Sequence, residues 1–243
     1  MGRAQVFALL LILLALVFLV LSWALARRRR PPYVRPLSAF DQIPGELGRA
    51  AEAGRPLHLG LGLGGIGGKR TATSLAGLQV LEGIADAAVA YSTPPTVTVG
   101  DPTLLLLAQD VLRRASSRMG VPERYESAQV RFVATDPVVY ALGAADVVRH
   151  DRVMGNVLAG AFGEEVALIA AGGVGMRQMA AADQLRAASA LYPADTLLAV
   201  GEEFYAGGAR LSRLPHYLAS LKAQDLLRLV IVVLLLMKVL GLF

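Results

Sequence analysis

The chain has 243 residues, 55% of them hydrophobic, with a mean hydropathy of +0.52 and no cysteine. That hydropathy is too high for an ordinary water-soluble domain, and the missing thiol excludes disulfides, thiolate nucleophiles, zinc-thiolate sites and iron–sulfur ligation. The formal charge of +5 does not point to nucleic acid: residues 31–225 carry all 19 acidic residues and 17 of the 24 basic ones, a net −2, so the basic excess flanks the apolar ends.

Residues 6–26 are an apolar run of 21 broken only by Ser22, about 31 Å long as a helix, which matches the hydrocarbon thickness. They predict an N-terminal transmembrane helix within residues 1–30. A signal peptide is the other reading, since Ala24-Leu25-Ala26 has the small-x-small form, but the run exceeds a typical h-region. Arg27, Arg28, Arg29 and Arg30 would also oppose export. Against the single Arg3 before the run, they place the downstream domain in the cytoplasm and the N-terminus outside. Pro31, Pro32 and Pro36 read as a stiff stalk, and Phe40, Ile43, Leu47 and Ala50 as a short amphipathic helix packed on the domain or resting at the headgroups; residues 31–56 form this segment.

The cytosolic domain is expected over residues 57–225. Residues 57–63 read as a buried strand that runs into the glycines at 64, 65, 67 and 68. A helix over 71–90 comes next, with Leu75, Leu78, Leu81, Ile84, Ala85 and Ala88 on one face. Residues 96–99 are β-branched and read as a strand. Asp101-Pro102 then opens a second helix, with Asp as the cap and Pro at the first helical position. Residues 130–133 are the next strand, and Asp136-Pro137 opens a helix to about Val148. Residues 154–162 and 166–170, split by Gly163-Glu164-Glu165, read as an antiparallel hairpin. A helix over 176–191 and a strand over 196–200 complete an α/β fold with a mainly parallel sheet, flanking helices and that hairpin. Gly172, Gly173 and Gly175 echo the first glycine turn, which reads as two diverged β-turn-α-β units or as a chance match in a glycine-rich chain. Residues 226–243 are a second, shorter apolar run, read as a transmembrane or interfacial helix. Lys222 and Arg228 flank it on the cytoplasmic side, and Lys238 lies near its far end.

Gly62-x-Gly64-x-x-Gly67 has the dinucleotide-binding spacing between a strand and a helix. The acidic residue expected about 20 positions on would fall near Glu82 in mid-helix, and Asp101 comes too late. As a phosphate-binding Walker loop the segment also fails, because Arg70 comes after Gly68-Lys69 and Leu63 stands where the first glycine belongs. Gly62, Gly64, Gly65, Gly67, Gly68, Lys69 and Arg70 remain candidates for an anionic ligand beside a helix N-terminus; tight strand–helix packing is the plainer reading. Glu164-Glu165 and Glu202-Glu203 are paired carboxylates, yet neighbours in a strand point to opposite faces. His58, His150 and His216 lack metal-ligand spacing, and no serine sits in a nucleophile elbow. No catalytic residue, metal or cofactor is identified.

The glycine turn, Val99-Gly100-Asp101-Pro102, Gly160-Ala161-Phe162-Gly163-Glu164-Glu165, Gly201-Glu202-Glu203 and Ala219-Ser220-Leu221-Lys222-Ala223-Gln224-Asp225 together resemble an uncharacterised family of bacterial membrane proteins, classified only as a domain of unknown function. The resemblance spans roughly residues 38–228. It implies a membrane-attached α/β domain at the bacterial plasma membrane and transfers no catalytic residues. These features fit two functions. One is a non-enzymatic, membrane-anchored scaffold that associates with itself or with other membrane proteins. The other is a nucleotide- or anion-binding enzyme or sensor using the 62–69 turn.

Overall fold

The computed structural model describes residues 3–28, 35–194 and 196–241. The chain divides into two compact units, residues 35–212 and a helical unit made from both ends of the sequence.

The first unit is built on six strands: β1 (Leu57–Gly62), β2 (Thr96–Val99), β3 (Val130–Phe132), β4 (Gly155–Ala161), β5 (Arg177–Ala182) and β6 (Leu197–Val200). Every pairing is parallel, and the order is β3-β2-β1-β4-β5-β6. This is the doubly wound arrangement, whose strand order reverses between β1 and β4. Side-chain alternation splits the core in two. Leu57, Leu59, Leu61, Val97, Val99, Val157 and Met179 pack against α2 (Ser38–Asp41), α3 (Ile43–Ala53), α4 (Thr71–Ala90), α5 (Pro102–Arg118) and α9 (Glu202–Ser212). Leu158, Ala180 and Ala182 face α6 (Pro137–His150), α7 (Val166–Gly172) and α8 (Leu185–Leu191). Phe40, Ile43, Leu47 and Ala50 are all buried, so the three-and-four spacing of that segment serves the core.

Three expectations are corrected. The antiparallel hairpin is absent: residues 166–172 form α7, with Val166, Ile169 and Ala170 buried at helical spacing and Leu168 exposed. β4 already has β1 and β5 as parallel partners, so it has no free edge for a returning strand. The helix expected over 176–191 is instead β5 followed by α8. Its alanines favour a helix locally, but Ala180, Ala181 and Ala182 are buried in a central strand whose ladder both neighbours satisfy. The glycines at 172, 173 and 175 therefore lead from a helix into a strand, the reverse of the first turn.

The third correction concerns the ends. The helical unit pairs α1 (Arg3–Arg28) with α10 (Pro215–Val239). The expectation of transmembrane helices there is overturned: among the described residues no helix is long and apolar enough to cross a membrane. In α10 the charges at Lys222, Asp225, Arg228 and Lys238 leave only nine consecutive apolar residues, 229–237, about half of the ~20 that a span requires. α1 packs along this charged helix, with Ser22 buried.

Candidate functional site at the carboxyl edge of the sheet

Strand β1 ends at Gly62, whose φ of +72° turns the chain out of the sheet. A side chain there would also meet the carbonyl of Ala161 at 2.3 Å, so two independent constraints require glycine. The turn beyond it lies beside the reversal of strand order, where open α/β sheets place ligands. Its interior is nonetheless occupied. The Ile66 N–H donates to Thr103 Oγ1 (3.1 Å), and those of Gly67 and Gly68 donate to Thr71 Oγ1 (2.9 and 3.1 Å). A Cβ on Gly64 would lie 2.2 Å from Ser74 Oγ, so this position faces α4. A Cβ on Gly65 would lie 2.5 Å from Asp101 Oδ2, which puts a carboxylate against the turn. Lys69 and Arg70 are exposed. Three of the donors that would cradle an anion thus serve side chains of α4 and α5, and the Asp101 carboxylate lies against the turn.

Asp101 and Asp136 both cap helices. Asp101 accepts from Thr103 N (2.8 Å), and Asp136 from Val138 N and Val139 N (both 3.0 Å). The paired glutamates do not form a two-carboxylate site: Glu165 accepts from Gly163 N (2.7 Å), while Glu203 pairs with Arg35 (2.6 Å) in the first turn of α9. Arg27 and Arg28 end α1, Arg29 and Arg30 lie outside the described residues, and Lys222 and Arg228 sit on α10. Among the described residues no group of His, Asp and Glu could hold a metal ion.

Two features of this edge are not apparent from the sequence. Thr73 Oγ1, in the first turn of α4, donates to Asp183 Oδ2 (2.8 Å) after β5 and lies 3.3 Å from Tyr205 OH on α9, clasping three elements together. Beneath the glycine turn a row of buried side chains crosses the sheet. Gly62 N–H donates to Tyr140 OH (3.1 Å), which donates to Thr98 O (3.2 Å). Thr98 Oγ1 lies 2.9 Å from His58 Nε2, and His58 Nδ1 lies 2.7 Å from Asn156 Oδ1. Asn156 Nδ2 donates to Gln178 Oε1 (2.9 Å), and Gln178 Nε2 to Ala170 O (2.9 Å). Because the Asn156 amide donates onward, its oxygen accepts, so His58 carries its proton on Nδ1 and takes the Thr98 hydroxyl on Nε2. From the Thr98 hydroxyl onward, every donor then points from β2 toward α7.

Burial lowers the His58 pKa to about 4, against the opposing pull of its Asn156 hydrogen bond. Burial likewise pushes Tyr140 up to about 12, against its Thr98 bond. Both groups are neutral at pH 7, and each has its partners inside the row. Such a row anchors Gly62 rigidly and offers no acid, base or nucleophile to a substrate. Its only sequence signal is polar residues in buried strands: His58, Thr98, Asn156 and Gln178.

The family profile of DUF6754, a domain of unknown function, matches residues 1–242. No curated protein and no solved structure matches the chain.

Proposed function

The chain belongs to the DUF6754 family, and on that premise we propose that it is a non-enzymatic assembly module that associates with copies of itself at the cytoplasmic face of a membrane. The observation that carries this reading is the surface of the α1–α10 pair. Ile12 (69%), Leu16 (61%), Leu229 (60%) and Leu235 (59%) stay exposed although the two helices pack together. Apolar surface on this scale is characteristic of helices that have further partners. The closed glycine turn supports the non-enzymatic half of the reading, since its N–H groups and its neighbouring carboxylate disfavour an anionic substrate. Flotation of the purified chain with phosphatidylcholine vesicles tests the membrane association, and recovery only in the unbound fraction would refute it.

A second reading, a nucleotide-binding enzyme or sensor, is favoured by one observation: the doubly wound strand order puts Asp101, at the end of β2, beside a glycine turn that succeeds β1. A thermal-shift panel of nucleotides and dinucleotides separates the two. A flat response retires the second reading, and a shift of several degrees with one nucleotide class establishes it.

A further inference from the structure

At the amino-terminal edge of the sheet, opposite the glycine turn, a cavity of about 580 Å3 is lined by Glu46 and Arg49 of α3, Arg55 of the adjoining turn, Met154 before β4, and Met176 and Arg177 at the start of β5. We propose that this cavity binds a phosphate group.

Three guanidinium groups meet one carboxylate here, so the lining carries a net charge of +2. The carboxylate is structural. Glu46 is 1% exposed, and it accepts from Arg49 Nε (3.1 Å) and from Arg49 Nη2, with Arg177 Nε 3.4 Å away. Arg177 is held a second time by Gln42, through Nη1 to Oε1 at 2.8 Å. Arg55 donates its Nε to the carbonyl of Arg152 and its Nη2 to that of Val153 (2.8 Å). Arg152 has a φ of +53°, uncommon for a residue with a side chain, and its carbonyl is one that Arg55 takes.

Arg49 and Arg55 are therefore each tethered along the Nε–Nη2 edge, and Arg177 through Nη1. Nη1 of Arg49, Nη1 of Arg55 and Nη2 of Arg177 have no hydrogen-bond partner among the described residues. Guanidinium groups fixed in this way lose little side-chain freedom on binding, and their planar donors match phosphate oxygens. A dianion balances the charge of the lining. Val153 (1% exposed) and the two methionines supply an apolar wall suited to the organic part of a phosphate ester, and Val174 at 78% exposure stands at the rim. Either a soluble phosphate ester or the headgroup of an anionic phospholipid presents this chemistry.

The test is isothermal titration of the full-length protein with pyrophosphate, glycerol 3-phosphate, and short-chain phosphatidic acid and phosphatidylcholine below their micellar concentrations. Pyrophosphate is expected to bind, with affinity falling as salt rises. Arg55→Gln and Arg177→Gln should each weaken it by roughly tenfold, the loss expected for one charge-assisted hydrogen bond. Both residues are exposed, so their variants are expected to fold; circular dichroism verifies this, and whichever variant folds is decisive. Arg124→Gln, in a separate cavity at the same edge, should bind as wild type does. Tighter binding of phosphatidic acid than of glycerol 3-phosphate identifies a lipid headgroup, and equal binding identifies a soluble ester. Failure of every anionic probe to bind, or affinity unchanged in Arg55→Gln and Arg177→Gln, would overturn the proposal.

Discussion

His58 and Asn156 face each other in register across β1 and β4, with His58 Nδ1 2.7 Å from Asn156 Oδ1 in a fully buried setting. The histidine is neutral in the folded chain, with its pKa lowered from 6.5 to about 4 by burial. In the unfolded chain it titrates at its ordinary value, so between pH 6.5 and 4 the unfolded state binds more protons and stability falls as pH falls. Above about 6.5 the contribution is complete, and below about 4 it levels off. The full effect is roughly 3 kcal/mol. Urea unfolding across this window should show the loss, and the difference between wild type and His58→Gln should track the same profile. A difference that does not vary with pH would remove His58 as its source.

Two helix-interior glycines should respond with opposite signs. Gly48 in α3 has open space where a Cβ would go, so Gly48→Ala should stabilise by up to about 1 kcal/mol through helix propensity. Gly77 in α4 lies against β4, where a Cβ would sit 2.3 Å from the carbonyl of Ala159. That contact is with backbone, which yields little, so Gly77→Ala should destabilise by roughly 1 to 3 kcal/mol in spite of the same propensity gain. Thermal melts of the two variants decide the matter.

At the glycine turn, Gly64→Ala would bring a methyl to 2.2 Å from Ser74 Oγ and 3.5 Å from Ser74 Cβ. The substitution should destabilise, and Ser74→Ala should relieve part of the loss by removing the hydroxyl. The pair should therefore show a favourable coupling of about 1 kcal/mol in a double-mutant cycle. Strict additivity would mean that the turn is open at Gly64.

Much of this fold is legible locally. Asp101-Pro102 and Asp136-Pro137 mark helix starts because a capping carboxylate and a proline satisfy the helix N-terminus by themselves. The strands at 57, 96, 130 and 197 announce themselves by short apolar or β-branched runs. Residues 177–182 do not: alanine at 180, 181 and 182 favours a helix, and only the ladders to β4 and β6 make it a strand. Residues 166–170 are short enough to fit either period, and the occupied edges of β4 decide for a helix. The glycine turn is visible in the sequence as a motif, but its state is not. Whether Ile66, Gly67 and Gly68 serve a ligand or Thr103 and Thr71 depends on contacts formed in the fold, one of them 37 residues away in sequence. The row from Gly62 to Ala170 is hidden for the same reason, being assembled from four strands and two helices.

Self-association through the apolar surface of the α1–α10 pair is read from the mass of the detergent-solubilised full-length chain, measured by light scattering on a size-exclusion column. Ile12 and Leu235 are 69% and 59% exposed within one chain, so Ile12→Glu and Leu235→Glu should leave the single-chain fold intact and act on association alone. Wild type is expected to have a protein mass of two or more chains, and both variants to shift toward one chain. A wild-type particle of one chain, or variants that assemble as wild type does, would contradict self-association through that surface.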